Sequence, residues 1–231
     1  AGLLLVRGAL AETRNEADRV DSSFGSALRG YGLLLRDRHY LGLVFIGASA
    51  MAGFFVYLAG SPFVLINHYG LSPTQYSLAF GLNAAAFIGA AQFTGALGRR
   101  FGLPRLAKGA ATASGLVLLA LLAYYLAGGD RLVVLIAFNF VATGFMGLVI
   151  PTVSVLALDK HGAIAGTASA LMGTLQMLCG AAAMGIVGLF ANGEPLPMVV
   201  GMSAGTFTAL VLSWVTLHKP VPGPPVQRVR G

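Results

Sequence analysis

"YLAGSPFVLINHYGLSP", Tyr57–Pro73, runs from an apolar helical pattern into a turn. It carries Tyr57, Ser61, Pro62, the pair Asn67-His68 and Pro73 in otherwise apolar sequence. Its last seven residues, Asn67-His68-Tyr69-Gly70-Leu71-Ser72-Pro73, are a cluster of turn formers. They divide a stretch from His39 to Gly98 that contains no Asp, Glu, Lys or Arg. That stretch is far too long for one membrane crossing, which takes about 20 apolar residues; divided at the turn, it makes two. The polar groups ahead of the turn raise a second question, because buried phenols and amides are costly in lipid unless paired or wetted. The segment reads as a span that bends near its end at Pro62, which removes a backbone hydrogen bond, and that touches something polar.

The rest of the chain follows the same rule. Charge-free gaps recur at 109–129, 132–158, 161–193 and 195–218. Six spans result, at about 40–66, 74–97, 106–126, 132–158, 162–190 and 196–217. Charged residues make up only 10% of the 231, against 56% hydrophobic, and the mean hydropathy is +0.79. A soluble domain has about 25% charged residues, so too few charges exist here to coat a soluble core. The apolar runs are continuous rather than alternating in about 10-residue segments, which argues for helices over barrel strands. The expected fold is all-α, a polytopic membrane protein with six transmembrane helices in one bundle.

A net charge of +7 would suggest nucleic acid in a soluble protein. Its distribution argues otherwise. Threading the six spans back and forth puts Arg7, Arg14, Arg19, Arg29, Arg36, Arg38, Arg99, Arg100, Arg105, Lys108, Lys160, Lys219, Arg228 and Arg230 on one side, and Arg131 alone on the other. That asymmetry is the positive-inside pattern and places both termini of this chain in the cytoplasm. No basic aromatic patch remains once the loops are assigned, so no nucleic-acid partner is expected.

Residues 1–21 read as the cut end of a preceding span and a cytoplasmic linker, so the chain looks like a fragment. Residues 22–39 carry Phe24, Ala27, Leu28, Tyr31, Leu34 and Leu35 at helical spacing, which suggests an amphipathic helix in the membrane interface. A solvated linker is the alternative. Residues 40–217 are the bundle. Residues 218–231, with four prolines, read as a disordered cytoplasmic tail. In the fifth span Gly162, Gly166, Ser169, Gly173, Gln176 and Gly180 fall on one stripe. Such a face suits close helix packing, or a surface that slides past a partner and lines a cavity.

Catalytic chemistry is missing. No Asp or Glu lies inside a span, and His39, His68, His161 and His218 all sit at span ends or in loops. No metal site, cofactor or acid–base pair is expected. Cys179 sits mid-span without a partner cysteine and reads as a packed small residue. "GMSAG", Gly201–Gly205, fits a nucleophile motif but lies in an apolar helix, with His218 roughly 22 Å along the axis from Ser203. "GASA", Gly47–Ala50, looks like an intramembrane-protease serine motif, but no span supplies a histidine. The chain is not expected to be an enzyme.

What remains is uncharged polarity inside apolar helices. Tyr57 and Ser61 are four apart, on one face of the first span. Asn83 and Gln92 take opposite faces of the second. Asn139 and Thr143 are four apart in the fourth. These suit an aqueous cavity that handles neutral or amphiphilic molecules.

The stretch "YLAGSPFVLINHYGLSPTQYSLAFGLNAA" (57–85) resembles the seventh and eighth spans of the Bcr/CflA drug-resistance transporters of the major facilitator superfamily. "LAETR" (Leu10–Arg14), with Ala11 where Pro is usual, resembles the end of that family's sixth span. "YGLLLRDRHYLGL" (Tyr31–Leu43) resembles its central linker, and "AGTASALMGTLQ" (Ala165–Gln176) its eleventh span. "GALGRRFG" (Gly95–Gly102) is similar to the superfamily loop motif at Gly95, Leu97, Arg100 and Gly102, with Arg99 where an aspartate is expected. A tight turn made by Gly98, Gly102 and Pro104 is the plainer reading of that string. In the fourth span, "IPT" (Ile150–Thr152) has Thr where the family often shows Asn.

The resemblance implies the carboxy-terminal six-helix bundle of a twelve-span exporter in a bacterial cytoplasmic (inner) membrane. It would move drug-like amphiphiles out in exchange for protons, by alternating access around a midplane site. Proton coupling needs an ionisable group in the membrane, so the coupling residues are expected in the amino-terminal half. Tyr57, Ser61, Asn83, Asn139 and Gln176 are the expected substrate wall, with Phe54 and Met146 as tolerant apolar neighbours. The competing readings are a stand-alone six-span scaffold or assembly protein without transport activity, and a transporter of a metabolite rather than drugs.

Overall fold

The computed structural model describes residues 24–218, so the linker before Phe24 and the proline-rich tail lie outside the described residues. Helix α1 spans Phe24–Leu34 and α2 spans Arg38–Pro62, continuing directly as a π-helical segment, Phe63–His68. Then come α3 (Pro73–Gln92), α4 (Thr94–Phe101), α5 (Leu103–Leu126) and α6 (Leu132–Asp159). A single 3₁₀ turn, Gly162–Ile164, leads into α7 (Ala165–Gly188), and α8 (Pro195–Thr216) follows. Five of these stretches are long and apolar enough to cross a membrane, and α3 with α4 makes a sixth if the bent pair is one span. Among the described residues there is no strand. Among the described residues the fold is all-helical, as expected from the charge gaps, and five of the six expected spans appear as single helical stretches in order, the second as the bent pair α3–α4.

The boundaries have local causes. Asp37 caps α2, accepting from the N–H groups of His39 and Tyr40 at 2.8 and 3.1 Å. The turn formers before α3 resolve into Gly70 at φ +71° and a capping box between Ser72 and Gln75, with Pro73 opening the helix. Such a box satisfies two N–H groups that a helix start leaves orphaned. Pro62 does not break the first span. Residues Arg38–His68 form one continuous helical stretch of 31 residues. The chain answers the missing N–H by widening the next turn to π geometry, where Tyr69 N–H reaches Val64 O at 3.1 Å.

The real break comes one span later. Helices α3 and α4 meet at Phe93 with a 44° bend, where no proline stands. Phe93 N–H turns back to Ala90 O at 3.0 Å, a tightened turn that changes the helix direction.

Helix α2 is the centre of the bundle, in contact with α6, α7 and α8, while α5 joins α6 to α8 and α3 rests on α6. The α2–α8 crossing is backbone to backbone. A Cβ placed on Gly205 would stand 2.8 Å from both Gly53 N and Ser49 O. Helices in lipid gain from such close approach, because burial from water contributes nothing between them.

Three expectations change in detail. The stripe on α7 divides: Gln176 and Gly180 are buried against α2, whereas Gly162, Gly166 and Ser169 are exposed. The buried line is Ala168, Met172, Gln176 and Gly180, a single row of residues four apart. Helix α1 turns Gly30 and Leu34 inward, while Leu28 and Leu35 are exposed. The similarity motif on Gly95, Leu97 and Arg100 is not a loop but lies in α4, and Gly102 ends that helix at φ +82°. A side chain is strained there, which is why the turn uses glycine.

Candidate functional site

Three helices bring polar side chains together in the middle of the bundle. Tyr57 on α2, Asn83 on α3 and Asn139 on α6 are each about 95% or more buried, with exposures of 5%, 5% and 3%. The Asn83 amide donates to the Tyr57 hydroxyl at 2.9 Å and to Ala79 O at 3.2 Å. Ser61 and Asn139 are further polar neighbours of the phenol. Phe80 stacks parallel to Tyr57, with centroids 6.3 Å apart and planes 7° apart.

Tyr57, Asn83 and Phe80 border a cavity of 370 Å³. Its walls are Met51, Phe54 and Tyr57 from α2, Phe80, Asn83, Ala84, Phe87 and Ile88 from α3, and Thr143 and Met146 from α6. No lining residue is charged. A second hole of 20 Å³ adjoins it, shares Phe54, Tyr57, Thr143 and Met146, and is lined by Asn139, Ser114 and Thr206. That is room for about one water.

The polar atoms are not all used. Asn83 Oδ1, Asn139 Nδ2 and Gln176 Nε2 are buried and have no hydrogen-bond partner. Buried amides left open in this way carry a desolvation cost of about 1–3 kcal/mol each. A ligand or water that completed them would recover it. The two asparagines supply opposite functions, an acceptor at Asn83 and a donor at Asn139.

The five expected wall residues thus separate. Tyr57 and Asn83 line the large cavity and Asn139 the small one. Ser61 is fully buried and lines neither; its hydroxyl pairs with Tyr76 Oη at 3.3 Å and ties α2 to α3. Gln176 lies in the α2–α7 seam, with its amide nitrogen 2.7 Å from where a Gly47 side chain would begin. Gln92 is exposed on the far side of α3, as its spacing from Asn83 requires. The aromatic wall of Phe80 and Phe87 was not among the expected residues. Its signal was present: Phe80, Asn83, Ala84 and Phe87 follow the three-and-four spacing of one helix face.

Each end of the bundle carries a histidine–aspartate contact. At one end His68 pairs with Asp130 at 2.8 Å, and the Tyr69 hydroxyl donates to the same carboxylate while meeting Tyr125 Oη at 2.7 Å. The Tyr69 hydrogen bond, with help from His68 and against burial, holds the Asp130 carboxyl below its ordinary range. At the other end Asp37 pairs with His161 at 3.1 Å. Burial pushes the Asp37 carboxyl up, but the N–H groups of Tyr40 and His39 and the nearby His161 outweigh it and lower the group. The Tyr40 hydroxyl donates to Ala168 O at 2.6 Å beside this pair. The serine of "GMSAG" donates to Leu118 O at 2.9 Å, inside packed α8.

Comparison with known proteins identifies the family. Residues 1–184 match the family model of the Major Facilitator Superfamily. The chain is 33% identical over 190 residues to an uncharacterized MFS-type transporter, YdgK, of Bacillus subtilis (strain 168). The match covers 81% of this chain and 46% of that relative, so the chain spans about half the relative's length. No solved structure matches it. With five membrane-length helices, a bent pair that would make a sixth, a family match over most of its length and a relative of the same kind, this chain is a multi-pass membrane protein that belongs to the major facilitator superfamily.

Proposed function

We propose that the chain is the carboxy-terminal half of a small-molecule exporter that works by alternating access and is driven by protons. The observation that supports this best is the 370 Å³ uncharged cavity, aromatic and apolar except at Tyr57, Asn83 and Thr143. Pockets of this kind, largely apolar with a few convergent polar groups, suit drug-sized ligands. The absence of charge in the wall disfavours anions, and its largely apolar and aromatic lining favours amphiphilic molecules over sugars. The Bcr/CflA resemblance of residues 57–85 points to drug-like compounds and to a bacterial cytoplasmic membrane.

In this reading Tyr57, Asn83 and Asn139 are the polar part of the wall. Ser61 supports it through Tyr76, and Gln176 acts at the α2–α7 seam. Among the long helices α3 and α7 are the least enclosed, with only Ala79 and Asn83 buried on α3 and only Ala168, Met172, Gln176 and Gly180 on α7. They are the faces that would meet a second bundle. Inside the spans of this chain no Asp or Glu occurs short of a helix end, and the cations Arg99, Arg100, Arg105 and Lys108 stand in the end turns, so the proton-carrying group is assigned to the other half.

Drug accumulation in cells carrying the full-length gene, with and without a protonophore, tests this. Lower accumulation that the protonophore abolishes, and that Tyr57→Ala or Asn83→Ala reverses for some compounds, is the expected result. No effect across a broad panel would sink drug export and move the assignment to a metabolite.

A further inference from the structure

The single tryptophan of the chain closes a small network on the outer surface of the bundle, away from the cavity. Lys108 Nζ lies 3.6 Å from the centroid of the Trp214 ring. The Trp214 indole N–H donates to Thr112 Oγ1 at 3.0 Å, and the Thr112 hydroxyl donates to Lys108 O at 2.7 Å. The cycle joins the start of α5 to the end of α8 and holds the ammonium in one place. Arg105 is three residues before Lys108, on the same face of α5, and is exposed.

Among the described residues neither cation has a carboxylate partner. Among the described residues, ion pairs form only at His68 and His161, and no side-chain acceptor takes a Lys108 N–H. Toward the middle of the span the same surface turns apolar, with Leu116, Phe207 and Val211 exposed. Two cations at one level, an indole beside them and a greasy face beyond match the layers of a lipid leaflet. Lysine and arginine hold charged heads at such a level while their stems lie on apolar surface. Tryptophan concentrates there for the same reason.

We propose that this α5–α8 face binds an anionic phospholipid, with the headgroup phosphate between Lys108 and Arg105 and an acyl chain along Leu116, Phe207 and Val211. The claim is independent of what the cavity carries. Each cation near an anionic leaflet is worth roughly a fivefold enrichment of such lipid.

Trp214 is its own probe. The full 231-residue chain is reconstituted in phosphatidylcholine vesicles that contain a fixed fraction of brominated phosphatidylglycerol or brominated phosphatidylcholine. Quenching of Trp214 fluorescence reports which lipid lies beside it. The expected result is several-fold stronger quenching by the anionic lipid. Lys108→Gln with Arg105→Gln should equalise the two lipids, leaving quenching by brominated phosphatidylcholine unchanged, and Lys108→Arg should keep the preference. Arg99→Gln with Arg100→Gln should also keep it. Equal quenching of the unaltered chain overturns the proposal, and that comparison decides even if a variant fails to insert. An equal loss in the Arg99/Arg100 variant also overturns it, since that would mark diffuse surface attraction.

Discussion

At the scale of the residue, Tyr57 and Asn83 matter because each limits the other. The phenol accepts the amide N–H, so Asn83 keeps its carbonyl free in the cavity wall. Tyr57→Phe removes that acceptor without changing shape. A double-mutant cycle of Tyr57→Phe and Asn83→Leu should give a coupling of about 0.6 kcal/mol, with a ceiling near 1.7 kcal/mol, as for other hydrogen bonds between membrane helices. Thermal unfolding in detergent measures it. Tyr57→Phe should shift the substrate profile well beyond what that small energy implies, because the freed amide nitrogen then faces the ligand. An unchanged profile would remove Tyr57 from the wall. Asp37 has a separate task as the cap of α2. Asp37→Ala should cost about 1 kcal/mol of stability, the usual worth of an N-cap, and thermal unfolding again reads it.

At the scale of the element, glycine position decides which helices touch. Gly205 faces backbone atoms of α2 that cannot move aside. Gly205→Leu should destabilise the bundle by at least the 1–3 kcal/mol typical of overpacking. Gly109→Ala on α5, where nothing stands within 4 Å, should be neutral or slightly stabilising. Equal melting of the two variants would mean that the α2–α8 crossing is looser than described. The π segment after Pro62 has a consequence at the end of the span, where it delivers His68 and Tyr69 together to Asp130. The Asp130 carboxyl is lowered from its ordinary value of 3.8, first by the Tyr69 hydrogen bond. A lowered carboxyl contributes stability above its unfolded value and loses it as pH falls through the folded one. Stability should therefore decline below about pH 3.8, and Asp130→Asn should flatten that decline. A melting series across acid pH, run on both proteins, makes the comparison; equally steep curves would exclude Asp130 as a contributor.

At the scale of the whole molecule, the charge asymmetry predicts which loops face outward. Single cysteines at Gly129 and Asn192, in a Cys179→Ala background, should react with a membrane-impermeant maleimide in intact cells. A cysteine at Lys160 should react only after permeabilisation. The reverse pattern would invert the topology and move Lys108 and Trp214 to the outer leaflet. The cavity belongs to this scale too, since its walls come from α2, α3 and α6, and no one helix carries enough of it to bind anything.

The sequence by itself determined the class, the spans and their order. Hydration of charge is so strong that Lys, Arg, Asp and Glu cannot be spread through a membrane helix, so gaps between charges mark crossings directly. It also singled out Tyr57, Asn83 and Asn139, because uncharged polar groups in lipid need a reason. It could not separate them from Ser61 and Gln176, which have the same chemistry. Only the tertiary structure did that, by turning Gln176 into the α2–α7 seam and Ser61 toward Tyr76. Periodicity gives a residue's direction around its own helix, but not which neighbour lies in that direction. The bend at Phe93 and the π turn after Pro62 were hidden for a related reason. Proline marks where a backbone hydrogen bond is lost, whereas packing against the neighbouring helices decides whether the helix bends, widens or runs on.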